Sequence, residues 1–64
     1  MQATDFSELE RKLGISRAEL CRRIGIAPNT GTAYAKGRAE IPLTVALACA
    51  AIEAGLKPYG KPTT

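Results

Sequence analysis

The sequence contains no histidine and only two cysteines, and these absences remove most of the chemistry that a small protein can carry. Without histidine there is no imidazole for general-base catalysis and no histidine-ligated metal site. Cys21 and Cys49 lie too far apart in the chain to form a CxxC element. A chain of 64 residues also has little room for a catalytic cleft. We therefore predict that the protein is not an enzyme and has no metal or cofactor site.

The two cysteines and the apolar runs predict the compartment. Both cysteines fall within apolar helical patterns, which favours small buried hydrophobic residues over a disulfide or redox pair. The first five residues lack the basic and apolar regions of a secretory signal. The longest apolar run, residues 45–52, is far too short to cross a bilayer. We expect a cytoplasmic protein that does not bind membranes.

The local signals are helical throughout, and none indicates a strand. Apolar spacing and stop signals predict four short helices, over residues 5–13, 16–24, 28–36 and 42–54. Thr4 or Asp5 is expected to cap the first helix, since Asp5 and Glu8 have capping-box spacing, and Ser16 and Glu19 repeat this signature.

Prolines and glycines mark the remaining helix ends. Pro28 and Pro42 are placed to open the third and fourth helices, because proline is favoured in the first turn. Glycines follow the four predicted helices at Gly14, Gly25, Gly37 and Gly55. We predict an all-α fold, with a four-helix domain containing a helix-turn-helix over residues 1–56 and a C-terminal tail over residues 57–64.

The segment LCRRIGIAPN joins the second and third helices through only three or four residues around Gly25 and Ile26. A short turn containing glycine is typical of a helix-turn-helix. Any two helices of a small bundle can be joined in this way, so the turn alone does not identify the motif.

The longer stretch SRAELCRRIGIAPNTGTAYAKGR resembles the helix-turn-helix of the lambda-repressor-like, Cro-type DNA-binding family. In that family a leucine, a small residue, a glycine and an apolar residue recur at set offsets, and they correspond here to Leu20, Cys21, Gly25 and Ile26. Tyr34 falls where the family often has an aromatic residue, and Gly37 matches the glycine that ends its recognition helix. The resemblance covers about residues 6–56 and implies that the third helix reads DNA.

Two residues depart from the family pattern. Cys21 stands where the family usually has alanine, and Gly31 stands where it usually has a branched apolar residue that anchors the recognition helix. Glycine inside a helix costs about 1 kcal/mol relative to alanine. Ala27 is also a weaker N-cap than serine or threonine. We therefore expect the third helix to lack an anchor and to start as a frayed segment that orders on contact with a partner.

Positive charge is concentrated in the segment that resembles the DNA-reading unit. Residues 17–38 contain five cations and one anion, Glu19, whereas the rest of the chain is slightly negative. This distribution is expected of a protein that approaches phosphates. The alternative is an ordinary solvated face on the second helix, with Glu19 and Arg23 paired across one turn.

The positions of these residues suggest their roles in DNA binding. The candidates for reading bases are short side chains near the start of the third helix, namely Asn29, Thr30, Thr32 and Ala33. The candidates for phosphate contacts are Arg17, Arg22, Lys36 and Arg38, of which Arg17 is supported by the family resemblance. Asn29 and Thr30 could instead form a helix-start turn without a partner. We expect Tyr34 to pack in the core rather than stack on a base.

The fourth helix has no charged residue between Val45 and Ile52, so it should be buried on nearly all sides. Three short helices cannot cover it fully, which favours a symmetric dimer. The expected interface residues are Val45, Ala48, Ala51 and Ile52. The alternative is a poorly shielded core helix in a monomer.

These observations predict a homodimeric transcriptional regulator that binds double-stranded DNA at an inverted repeat and represses by occupying its operator. The alternative is an antiactivator, a protein-interaction module on the same fold that sequesters a regulator protein through its third or fourth helix. Gly31, the modest net charge of +3 and the lack of glutamine or arginine at the start of the third helix favour this alternative.

Overall fold

The structure, a computed structural model, describes residues 1–60, and this part of the chain contains four α-helices and no strand. The helices are α1 (Ala3–Leu13), α2 (Arg17–Ile24), α3 (Pro28–Ala35) and α4 (Leu43–Glu53). The predicted all-α class is confirmed, and each predicted helix is found with its ends within two residues of the expected positions. Within the described residues, every helix is too short to span a membrane.

The start of α1 differs from the prediction. Its N-cap is Gln2, and the Gln2 backbone N–H donates to Asp5 Oδ2 at 2.7 Å. Asp5 therefore acts as the acidic partner at the third helical position rather than as the cap. Glu8, which was expected to be that partner, instead pairs with Arg11 in the next turn. The spacing rule identified a capping box but placed it three residues too late.

The start and end of α2 are as the sequence predicts. The Ser16 hydroxyl accepts a hydrogen bond from the Glu19 backbone N–H at 3.1 Å, which satisfies one of the free donors at the helix start. Gly25 ends the helix with φ of 79°, a left-handed conformation that glycine adopts without strain. The Ile26 N–H then donates to the Cys21 carbonyl. Only residues 25–27 separate α2 from α3.

The four helices enclose one small core. Helix α3 packs against α1 and α2, and α4 packs against the same two helices. The buried apolar residues are Phe6, Leu9, Leu20, Cys21, Tyr34, Val45 and Cys49. The Phe6 and Tyr34 rings meet edge to face with their centroids 6.0 Å apart. The predictions that Tyr34 packs in the core and that both cysteines are buried free thiols are thus confirmed.

Cys21 supplies the packing contact that α3 was expected to lack at Gly31. Gly31 is buried against α2, and a Cβ atom added to it would lie only 2.1 Å from the Cys21 sulfur. The sulfur therefore occupies the space in which a side chain at position 31 would begin. Cys21 and Gly31 form one compensated exchange of volume, with the larger side chain on α2 and none on α3, so the expectation that α3 lacks a packing anchor at this position was wrong. Helix α3 begins at Pro28, so its first turn has helical backbone conformation in the structure.

Helix α4 turns a different face to the core than was predicted. Val45 is buried, Ile52 packs against the core, and Ala48 and Ala51 are half-buried. The exposed apolar face contains Leu43, Leu47, Ala50 and Ala54, with Leu43 73% and Leu47 61% exposed. Val45 is buried inside its own protomer and so has no surface left for a partner, whereas the dimer-interface role of Ala48, Ala51 and Ile52 stays a prediction. Because α4 has no regular alternation of polar and apolar residues, its sequence does not indicate which face packs against the core.

The predicted tail is described only in part. Residues 57–60 are exposed and add nothing to the core, and this includes Tyr59. The rest of the predicted tail, residues 61–64, lies outside the described residues.

Candidate nucleic-acid interface

Helix α3 has a buried side and an outward side. Gly31 and Tyr34 face the core, and Ala35 packs against it. The outward side carries Asn29, Thr32, Ala33 and Lys36, whose spacing of three and four residues places them on one helix face. Asn29 and Lys36 are exposed, and Thr32 and Ala33 are partly exposed. Three of the four predicted base-reading residues therefore share this face. Thr30 is partly buried at its margin.

Two cations lie at the C-terminal end of this outward face. Lys36 and Arg38 are exposed, and neither forms an ion pair with any residue among 1–60. The backbone around them is held, because the Gly37 N–H donates to the Tyr34 carbonyl and the Arg38 N–H donates to the Ala33 carbonyl at 2.8 Å. Lys36 and Arg38 therefore project from a backbone that is held by hydrogen bonds, and their charges are available to bind an anion.

Arg17 begins α2 and is tied to α1. Its Nε donates to Glu10 Oε2 at 2.9 Å, and the Arg17 and Glu10 side chains are 34% and 15% exposed. The two terminal nitrogens of this guanidinium make no hydrogen bond to the described residues. A guanidinium has five donors, so Arg17 keeps a fixed orientation and can still bind a phosphate. Glu10 could not be predicted as part of the site from the sequence, because its partner Arg17 lies across the turn between the two helices.

Arg22 is the weakest of the predicted phosphate contacts. Both Arg22 and Arg23 donate hydrogen bonds to the Glu19 carboxylate, and Arg23 Nε lies 2.9 Å from Glu19 Oε2. The hydrogen bonds from Arg22 and then Arg23 hold the pKa of the Glu19 carboxyl below its usual value. The pairing of Glu19 with Arg23, proposed as the alternative for this helix, is therefore present. This part of α2 is a solvated face on which Glu19 offsets one of the two positive charges of Arg22 and Arg23.

Helix α3 and the segments on either side of it contain no acidic residue, and the nearest ones along the chain are Glu19 and Glu40. The sequence has no acidic residue between positions 20 and 39. The first turn of α3 begins at Pro28 after Ala27, which provides no side-chain cap, so its backbone donors are not occupied by a carboxylate. Within residues 1–60, no group of three or more acidic or cysteine side chains comes together in a way that could hold a metal ion.

Comparison of the chain with protein-family models, curated proteins and solved structures found no match. The likeness of α2, the turn and α3 to the Cro-type helix-turn-helix is thus a prediction from the residues themselves.

Proposed function

We propose that this protein is a DNA-binding transcriptional regulator that inserts α3 into the major groove and lays the start of α2 against the phosphate backbone. The supporting observation is the outward face of α3, which carries short polar and apolar side chains and no acidic one. It ends at Lys36 and Arg38, neither of which forms an ion pair among residues 1–60. Repression by occupation of its operator is the mode of action that we propose.

The outward face of α3 has side chains suited to base edges. The Asn29 amide can donate to N7 and accept from N6 of adenine at the same time, and the Ala33 methyl can contact the methyl of thymine. The Thr32 hydroxyl can donate or accept. All three side chains are short, so the helix backbone must approach the bases closely. The small residues of this face permit that approach.

The cations around this face supply affinity without reading sequence. Lys36 and Arg38 lie beyond the last turn of α3 and reach the backbone on one side of the groove. Arg17 reaches it from the start of α2, with its orientation held by Glu10. Arg22 contributes less than Lys36 or Arg38, because it forms an ion pair with Glu19, whose carboxylate it shares with Arg23. The regulator is proposed to act as a homodimer on an inverted repeat whose half-site centres lie about 10 base pairs apart.

Binding to a site selected from random DNA, measured over a range of salt concentrations, tests this proposal. Lys36→Ala should weaken binding to all DNA and lower the slope of log affinity against log salt by about one unit. Asn29→Ala should cost about 1 to 3 kcal/mol on the selected site and much less on random DNA. Lys57→Ala, which removes an exposed cation from the tail, is the charge-matched control and should change neither. The proposal fails if no site is selected or if Lys36→Ala behaves like the control.

The exposed leucines of α4 favour a second candidate function, a module that binds and sequesters another protein. Leu43 and Leu47 form an apolar surface of the kind found at protein interfaces. A protein of this type would act through α4, so it would keep its activity in the Asn29→Ala and Lys36→Ala variants. The DNA-binding regulator would lose activity in both.

A further inference from the structure

Glu10 is an acidic residue that lies against one of the proposed phosphate-binding cations. It stands in the last turn of α1, and its carboxylate Oε2 accepts the hydrogen bond from Arg17 Nε at the start of α2. Its side chain is only 15% exposed, and its backbone carbonyl accepts from the Ile15 N–H at 3.1 Å, which closes the end of α1. By its charge alone, a carboxylate at this place should repel a DNA backbone.

The hydrogen bond to Glu10 uses only one edge of the Arg17 guanidinium. Nε donates to Glu10, whereas Nη1 and Nη2 make no hydrogen bond to residues 1–60. These two nitrogens carry the remaining N–H donors and form a fork that can bind two oxygens of one phosphate. The edge that Glu10 leaves open is therefore suited to a phosphate.

The stem of Arg17 is held by α3. A Cβ atom added to Gly31 would lie 3.7 Å from Arg17 Cγ, so the stem passes close to the backbone of α3 at this glycine. Arg17 is thus held at two points, by α1 at its Nε and by α3 at its Cγ. A side chain held in this way is ordered by folding and does not have to be ordered on binding.

We infer that Glu10 is a positioning residue for the phosphate contact of Arg17, and that it strengthens DNA binding although it is negatively charged. It fixes Nε, so that the fork of Nη1 and Nη2 has one orientation before DNA arrives. The inference rests on the proposed function, because it concerns the binding of the same DNA backbone. Without Glu10 the Arg17 side chain would have to be ordered on binding, which should lower the affinity about two- to tenfold.

Glu10→Ala distinguishes positioning from an effect of charge. If Glu10 acted only through its charge, removing it would make the surface more positive and tighten DNA binding. We expect the opposite, a loss of about two- to tenfold in affinity. Because a phosphate contact carries no sequence information, the loss should be the same on a site selected from random DNA and on a random duplex. Glu8→Ala removes an exposed carboxylate from the same helix and is the charge-matched control, which should not weaken binding.

Variants of Arg17 test whether Glu10 acts through this residue. Arg17→Ala should weaken binding to both duplexes, and Glu10→Ala should cause no further loss in that background. Arg17→Lys keeps the charge but has no fork, so it should also bind more weakly than the wild type. This variant changes no charge, so it tests the fork even if Glu10→Ala does not fold. Glu10→Gln keeps an oxygen acceptor for Nε and should recover most of the affinity.

The hydrogen bond between Arg17 and Glu10 can be measured without DNA. In nitrogen-15 NMR spectra, the Arg17 Nε–H should exchange slowly with water in the wild type and rapidly in Glu10→Ala. The Nε–H of Arg38, which forms no ion pair among residues 1–60, should exchange rapidly in both proteins. Rapid exchange at Arg17 in the wild type would overturn the inference.

The binding results separate this inference from the proposed function. If the wild type binds DNA and Glu10→Ala binds it as tightly or more tightly, the inference fails and the proposed function stands. Arg17→Lys binding as tightly as the wild type, or a full loss from Glu10→Ala in the Arg17→Ala background, overturns the inference in the same way. A wild type that binds neither duplex overturns both.

Discussion

The close packing of Gly31 against Cys21 predicts that a side chain at position 31 lowers the free energy of unfolding. In Gly31→Ala, the new Cβ would lie 2.1 Å from the Cys21 sulfur, far inside van der Waals contact. Both residues are buried between α2 and α3, so the overlap can be relieved only by moving a packed side chain or separating the helices. Overpacking of this kind costs up to about 3 kcal/mol, and alanine returns about 1 kcal/mol of helix propensity. We expect a net loss of about 2 kcal/mol.

Removing the sulfur should reverse the sign of this effect. In a Cys21→Ala background, the neighbours nearest to the new Cβ are Arg17 Cγ at 3.7 Å and Phe6 Cε2 at 3.8 Å, which are ordinary contacts. Gly31→Ala should then stabilise the protein by about 1 kcal/mol through helix propensity. The double-mutant cycle should therefore give a coupling free energy of about 3 kcal/mol, well above the usual deviation from additivity of about 0.5 kcal/mol.

Urea unfolding followed by far-UV circular dichroism measures all four proteins. For a domain of this size, about 1 kcal/mol corresponds to a shift of about 4 to 8 °C in the melting temperature, so thermal unfolding provides a second readout. If Gly31→Ala changes the free energy of unfolding by the same amount in both backgrounds, the sulfur does not fill the space of a side chain at position 31. That result would refute the compensated exchange.

Two further predictions follow from ionisable groups. Because hydrogen bonds from Arg22 and Arg23 lower the pKa of Glu19 in the folded state, their contribution to stability is present above the ordinary carboxyl pKa of about 4.5 and is lost as the pH falls below it. The melting temperature should thus fall more steeply in the wild type than in Glu19→Gln between about pH 5 and pH 3, and parallel profiles would contradict this. Burial raises the pKa of the Cys21 and Cys49 thiols, so both should react with a thiol reagent only as fast as the protein unfolds. Rapid reaction in the native state would contradict their burial.

The helices and their ends could be predicted because their signals act over a few residues. Ser16 caps α2 through the backbone N–H of Glu19, three residues later, and Gly25 ends it with its own backbone conformation. Such signals are complete within one helical turn, so the residue types and their spacing are sufficient. The same reasoning placed α1 correctly as a helix but assigned the wrong role to Asp5, because a glutamine N-cap is not among the residues preferred there.

Which side chains pair with the candidate DNA-binding residues could not be predicted wherever the two partners lie on different helices. The outward face of α3 could be anticipated from helical spacing, and the pairing of Glu19 with Arg23 lies within one helix. Glu10 meets Arg17 only because α1 and α2 fold back on each other, and no local rule selects it from the other acidic residues. The availability of Lys36 and Arg38 likewise depends on which carboxylates the fold brings near them.

The sequence by itself determined that this chain forms four short helices, that its cysteines are buried and that positive charge is concentrated around the second and third helices. Only the tertiary structure decided that Cys21 and Gly31 share one space and that Leu43 and Leu47, rather than Val45 and Ile52, face outward. The physical reason is that helix formation is governed by neighbours within about one turn, whereas packing depends on the shape of surfaces that are distant in the chain. An apolar helix such as α4 can be buried on any side, and its neighbours select the side.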